Sequence, residues 1–431
     1  MHAAPAVGHG RRSVGAGLLF LAALLVLPAG SRAWPSPGSF HPTAADTGAA
    51  VTASPAVELR AAYTADAVGV LAGGVDPGMD LLDDVDVQLW LDGEGLVGVP
   101  GLSIFVYGLG NQGGSPSGRA GDLQTLDNIQ APTSWRIYEA WAQQFLAGDR
   151  LSLLAGLYDV NSEFDAVDAA DVFLNSSFGI EAAFGQSGAN GPSIFPVTSL
   201  AFRARALVGD RWRVQAVVAD GVPGDPARPG GTRVALGGGD GALLVAQVGY
   251  LHPELGGTAG LPSPATVRRR RAGRTAESAP HDLALSAGVW RYTGASRGTG
   301  GYVTGERRIS GDGPDDPSEL WAFAMLGVAS ARASAASTSV VTGVSGTGLL
   351  PGRPDDRAGL GLAAARRSPA LPDSADGRAF PTWEVTLEGT YRARLAPWLA
   401  LGPDVQLILE PAAAAGAADA LVLGLRLEAA M

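Results

Sequence analysis

Trp383–Leu395 reads WEVTLEGTYRARL, and its two parities differ in kind. Trp383, Val385, Leu387, Gly389, Tyr391, Ala393 and Leu395 alternate with Glu384, Thr386, Glu388, Thr390, Arg392 and Arg394, so an extended chain here has one oily and one wet face. Ala396-Pro397 interrupts the run. Trp398–Glu410 (WLALGPDVQLILE) then resumes it, with Leu399, Leu401, Val405, Leu407 and Leu409 opposite Asp404, Gln406 and Glu410. The pair predicts a hairpin of two long strands. Strands of soluble sandwiches usually run about five or six residues, whereas a tilted strand crossing a bilayer needs about 9–11. These are of the longer kind, and Trp383 and Tyr391 stand on the oily face, where interfacial aromatics belong. Leu421–Glu428 (LVLGLRLE) repeats the pattern near the end of the chain.

Outward from this hairpin, alternating or apolar runs with turn residues between them recur from Glu58 onward. They fall at 58–67, 85–91, 102–108, 136–144, 151–158, 199–207, 211–219, 242–250, 283–292, 299–306, 320–329, 333–341, 357–365, 382–394, 398–409 and 420–428. The pattern is thinnest at 299–306 and 333–341. The fold expected is all-β, an antiparallel transmembrane β-barrel of about 16 strands. Short periplasmic turns are expected at Gly209-Asp210 and Ala396-Pro397, and long outer loops at Asp159–Leu200 and Glu254–Asp282. Asp159–Leu200 is long enough to fold inward as a constriction.

At the other end of the chain, Arg11 and Arg12 precede an apolar run, Leu18–Leu27, and then Ser31-Arg32-Ala33, small at both positions a signal peptidase reads. Residues 1–33 are expected to be a secretory signal, 34–57 a flexible linker and 58–431 the barrel domain. Beyond residue 33 there is no apolar stretch long enough for a transmembrane helix, so a membrane form must be a barrel.

Composition narrows the chemistry. Cysteine is absent, which excludes disulfides, thiolate metal sites and a Cys nucleophile. All 31 basic residues are Arg, which excludes a Schiff-base or phosphate-loop lysine. A net charge of −11 argues against nucleic acid as a partner. The 61 glycines and 29 prolines suit a chain of many turns.

Ala155–Asp165 (AGLYDVNSEFD), Phe173–Gly179 (FLNSSFG), Asn190–Thr198 (NGPSIFPVT), Gly348–Asp356 (GLLPGRPDD) and Thr390–Asp404 (TYRARLAPWLALGPD), in that order, resemble the carbohydrate-selective porins of the OprB type. The resemblance covers most of residues 58–428. It implies a sixteen-stranded barrel that passes sugars passively across the outer membrane of a Gram-negative bacterium, without a cofactor or a reaction. Two departures stand out. The chain ends in Met431 where such barrels usually end in an aromatic residue, and the Arg-rich, Pro-rich Glu254–Pro280 segment has no counterpart in the resemblance.

If the polar parities face the lumen, Arg203, Arg205, Arg211 and Arg213 line it from one hairpin, and Glu384, Glu388, Arg392, Arg394, Gln406, Arg426 and Glu428 from the closing strands. Mixed charges on a pore wall disfavour ions more than neutral polyols, and Arg forks and carboxylates exchange hydrogen bonds with hydroxyls. The bland alternative is mutual salt bridging that only lets the wall exist. Trp141, Tyr158 and Trp290 fall in candidate strands. An aromatic face suits the C–H side of a sugar ring, but the lipid-interface girdle is the commoner place for any one Trp. The set Ile137, Glu139, Trp141, Gln143 leans inward because it is partly polar, which makes Glu139 and Trp141 candidate lumen residues.

Asp159, Asn161, Glu163 and Asp165 space oxygens at every second position, but Phe164 replaces the glycine a calcium loop needs, so loop hydrogen bonding is the expected role. Gly294-Ala295-Ser296-Arg297-Gly298 matches a nucleophile elbow in letters alone. Arg268–Arg271 is a solvated run or, less commonly, a contact for lipopolysaccharide phosphates. The expected partners are carbohydrates, outer-membrane lipid and lipopolysaccharide, and the barrel-assembly machinery, and a homo-oligomer is compatible with all of them. The competing readings are a barrel plugged by its own loops that serves as scaffold or adhesin, and an outer-membrane enzyme, for which no carboxylate or Ser/His set is assembled.

Overall fold

The structure is a computed structural model that describes residues 56–225, 227–228, 230–233, 239–253, 281–294, 297–311, 318–372, 374–375 and 377–430. The expected signal peptide, most of the linker, Ser296 of the elbow pattern, Arg268–Arg271 and Met431 lie outside these residues.

The described chain forms sixteen strands: β1 (Val57–Gly74), β2 (Gly78–Asp92), β3 (Leu102–Gly113), β4 (Ser134–Leu146), β5 (Leu151–Tyr158), β6 (Ser199–Val208), β7 (Trp212–Asp220), β8 (Ala242–Pro253), β9 (His281–Tyr292), β10 (Gly298–Ser310), β11 (Glu319–Ala329), β12 (Ala336–Thr347), β13 (Arg357–Arg367), β14 (Trp383–Ala396), β15 (Leu399–Leu409) and β16 (Ala418–Ala430). Each pairs antiparallel with its sequence neighbours, and β1 pairs with β16 as well as β2, so the sheet closes. Closure leaves no strand edge unpaired, which is the condition for a sheet to exist in hydrocarbon.

The burial pattern is inverted relative to a soluble protein. Leu360 is 68% exposed, whereas Arg203 and Glu384 are 0% exposed. The oily parity of β14 faces out and its charged parity faces in. Trp135, Trp212, Trp383 and Trp398 stand exposed on the outer side, as a girdle requires.

All sixteen expected strands exist, including the two with the thinnest pattern, β10 and β12. The strand expected at 333–341 is displaced to Ala336–Thr347, and β2 begins seven residues before the expected Val85. Three expectations need correction. A bulge in β4 beside the Tyr107–Gly108 step of β3 inserts one residue at Tyr138-Glu139 and switches parity. Ile137 is therefore on the outer face, 44% exposed, although Glu139, Trp141 and Gln143 point inward. Arg211 is not in the wall; it lies in the β6–β7 turn, exposed, and donates to the Tyr250 hydroxyl at 3.2 Å.

The third correction concerns sidedness. In a closed antiparallel barrel, successive connections alternate between the two ends. The β8–β9 connection therefore leaves from the end that carries the tight turns after β6 and β14 and both barrel termini. The connections 114–133, 159–198, 221–241 and 368–382 all leave from the opposite end. Glu254–Asp282 therefore shares its end with the tight turns and not with 159–198, and its arginines at 268–271 lie outside the described residues.

Connections 114–133 and 159–198 fold into the barrel. An apolar core forms between them and the inner wall, with Phe164, Phe178, Ile180 and Phe184 of the longer connection among its buried members. The buried clusters reach round the inner wall, from Trp90, Phe105 and Trp141 of β2–β4 through Phe323 and Val341 of β11 and β12 to Val68 and Val422 of β1 and β16.

Candidate functional site

Inside the barrel, wall carboxylates hold loop backbone. The Glu388 carboxylate of β14 accepts the amides of Leu174 (2.5 Å) and Asn175 (3.0 Å). Glu384, two pleat repeats away, accepts those of Leu123 (2.7 Å) and Gln124 (3.1 Å) from the shorter loop and of Ala412 (2.7 Å). Glu306 of β10 accepts Ala169 N–H at 2.8 Å. A loop folded into a barrel leaves its amides without water, and a carboxyl group on the wall, with two acceptor oxygens, satisfies them two at a time. The loops also bind each other, through Asn128 N–H to Leu174 O (2.8 Å) and Ser176 N–H to Thr125 O (2.9 Å).

On the opposite hairpin, Arg203 donates to Ser152 Oγ (2.7 Å), Ser152 O (2.9 Å) and Gln143 Oε1 (3.0 Å), and its Nε lies 2.8 Å from Glu163 Oε2. Arg205 reaches Glu163 Oε1 at 3.2 Å. Glu163 belongs to the inward loop, and Tyr158 donates to it at 2.8 Å. Asp159, Asn161, Glu163 and Asp165 do not converge on a common centre. Asp159 accepts Asn161 N–H (2.8 Å), Asn161 donates to Gly179 O (2.9 Å), Glu163 takes the arginines, and Asp165 accepts Glu181 N–H (3.2 Å).

The residues nominated from the sequence differ in what they hold. Glu384, Glu388, Arg203 and Arg205 are anchors of the inward loops. Arg213 faces inward, half-buried, beside Gln215, which donates to Glu163 O at 2.7 Å. Arg392 pairs with Glu428, and Arg394 sits at the tight-turn end, where it donates to Pro397 O at 3.1 Å. Glu139 accepts from Trp141 Nε1 (3.2 Å) and Asp159 N–H (3.1 Å). Trp141, Tyr158 and Trp290 all point inward and are buried, against the girdle preference. Trp141 packs edge-on against Trp90 with ring centres 5.5 Å apart, and Trp290 stacks on Phe184 at 5.4 Å. Trp290 has its stacking partner because the loop brings Phe184 to it, whereas Trp141 packs on the neighbouring wall rings of Trp90 and Phe105.

The shorter loop also lies against β1, β2 and β16, through Arg119 to Asp80 (2.7 Å) and Arg426 to Asn128 (2.8 Å), and partly exposed polar side chains are spread round the inner wall. Arg60, Thr64, Asp86 and Tyr107 are among them, and Asn161 and Ser162 of the loop are partly or fully exposed. The densest group here was not singled out in the sequence. Tyr107 donates to Asp86, Tyr138 donates to Asp159 Oδ2 at 2.6 Å, and the two rings meet edge-on at 5.0 Å. Phe195 extends the stack at 6.3 Å from Tyr138. The available signal was parity: Asp86 and Tyr107 stand on the polar faces of two expected strands.

Two loop carboxyls make the docking sensitive to pH. Burial pushes the Glu181 carboxyl up to about 8, against the pull of the Ala183 and Phe184 amides, and burial together with Glu181 holds Asp165 well above the carboxylate range. A carboxyl raised in the folded state stabilises docking fully below its ordinary value of 4.5, and that contribution is lost as pH rises through about 8. Single-channel current is therefore expected to be noisier at pH 9 than at pH 6, and equal noise at both values would rule the contribution out.

Residues 76–431 match the carbohydrate-selective porin family, OprB. No curated protein matches the chain. Among solved structures, the high-pH structure of Pseudomonas putida OprB superposes with a TM-score of 0.71 at 16% identity, covering 87% of this chain and 94% of that one. The low-pH structure of the same protein gives 0.53 at 15% identity, with coverage of 87% and 93%.

Proposed function

This chain belongs to the OprB family of carbohydrate-selective porins, and from that premise we propose the route and size class of its sugars. It is an outer-membrane sugar porin, and family and fold alike are those of channels. Small neutral sugars, mono- or short oligosaccharides, pass between the inward loop and the inner face of β1–β4. The observation that carries this reading is the pair Tyr107–Asp86 and Tyr138–Asp159. It puts aromatic faces beside carboxylates, and a sugar ring needs both, one for its C–H side and one for its hydroxyls. Of the charged residues of the sequence reading, Glu384, Glu388, Arg203 and Arg205 serve this route indirectly, by fixing the loops that narrow it.

The end bearing 114–133 and 159–198 faces the exterior in this reading, since outer-membrane barrels keep short turns on the periplasmic side. Residues 1–33 direct export and the barrel-assembly machinery inserts the chain. Inward packing of both loops also favours a second reading, a barrel plugged by its own segments. Proteoliposome swelling separates the two. Swelling in glucose, faster than in a trisaccharide of similar osmolarity, is the expected result, and no swelling from a heat-modifiable, correctly folded barrel would leave the plugged scaffold.

A further inference from the structure

We propose that the outer wall carries a seat for one acyl chain of lipid A, across β6–β8 and on to β10, with a lipid A phosphate held by Arg291. The proposal rests on the membrane orientation given above. Cross-strand register lines up the outward side chains in rows. Phe202, Val218 and Leu244 form one row, Val214 and Val248 belong to another, and between them Ala204, Ala216 and Ala246 are in register. A row of methyl groups between two rows of larger side chains is a trench, and its volume is about 720 Å³. It is lined by apolar side chains and continues past Val289 over Gly300 and Gly301 to Val328.

One cation marks an end of the trench. Arg291 is exposed, stands on the outward parity in register with Leu244 and Thr299, and is the penultimate residue of β9. That places it at the end from which the inward loops leave, hence at headgroup level in the outer leaflet. The carboxylate Asp240 at the same rim is held by Arg233 at 2.7 Å. A cation on an apolar wall at that level suits a phosphate, which the guanidinium grips with two parallel bonds. An acyl chain fills a trench one side chain wide. The wall of a second barrel is convex and would rest on the flanking rows, leaving the trench void, and voids forfeit contact energy. In the outer leaflet of a Gram-negative outer membrane, the lipid with both acyl chains and phosphates at that depth is lipid A.

The test is native mass spectrometry of full-length porin extracted from outer membranes, followed by add-back of purified lipid A or phosphatidylglycerol to delipidated protein. The expected result is one lipid A per barrel, with retention lowered at least tenfold in Ala216→Trp and in Arg291→Gln. Phosphatidylglycerol should compete poorly with lipid A. Ala246→Leu serves as a milder filling variant should Ala216→Trp fail to fold, with heat-modifiable mobility as the folding check. Single-channel conductance should be unchanged in the variants, because the trench does not touch the lumen, so a loss of lipid with normal conductance separates this site from the pore. Equal retention in all variants, equal competition by phosphatidylglycerol, a protein dimer in place of lipid, or no retained lipid A would each overturn the proposal.

Discussion

Glu388→Ala is expected to free the inward loop from the wall while leaving the barrel closed. The side chain is 3% exposed and accepts two loop amides that no water can reach. Leaving a buried donor unsatisfied costs about 1–3 kcal/mol, so with two amides stranded the docking of the segment should weaken by roughly 2–6 kcal/mol. The measurable consequences are protease cleavage within 159–198 in the folded barrel, larger and noisier single-channel current, and loss of discrimination among sugars. Glu388→Gln keeps the shape and one good acceptor but puts an N–H against a second donor, so about half the effect is expected. Unchanged protease resistance and conductance in Glu388→Ala would show that the clamp is not what positions the loop.

Arg203→Met should be nearly as disruptive, and for a different reason. Arg203 is the largest fully buried side chain among the described residues, and its loss takes from the Glu163 carboxylate the guanidinium that lies 2.8 Å from it, leaving Arg205 at 3.2 Å. Removing one partner of a buried pair costs about 3–5 kcal/mol, whereas replacing both by apolar groups is often near neutral. The double variant Arg203→Met, Glu163→Met should therefore regain part of the stability lost in the single one, less the cost of taking this carboxylate from buried Arg205, measured by thermal unfolding in detergent. An additive double variant would mean that the two side chains do not act as a unit. Any change in sugar flux in the single variant then arises from loop displacement and not from lost contact with sugar, since Arg203 is out of solvent reach.

How far the sequence could be read follows the range of the interactions. The parity of Trp383–Leu395 is a local property of the chain, and both its faces are where alternation puts them. The strand count was equally legible, because each strand repeats the same local signal. The β4 bulge was not, since one inserted residue at Tyr138-Glu139 leaves no mark in composition and still flips Ile137 outward. The side from which the Arg-rich connection leaves was misread because length was taken as the guide, whereas counting strands fixes it. Charges such as Glu384 and Glu388 were legible as inward-facing. Their partners were not, because Leu123 and Leu174 are brought to them only when two separate connections fold inside. The same non-local covering put Trp141 and Trp290 in the interior, while the Tyr107–Asp86 and Tyr138–Asp159 pairs, made across strands and from strand to loop, had only parity to point to them.

The central claim, that neutral sugars bind in an open path against the β1–β4 face, is tested most directly by single-channel current in a planar bilayer during titration with glucose and then maltose. The account predicts an open channel with saturable, reversible block by sugar, and at least fivefold weaker block in Tyr107→Phe, which keeps the ring but loses the hydroxyl that donates to Asp86. An open channel in which no sugar interrupts the current, or block that is identical in Tyr107→Phe, would contradict it.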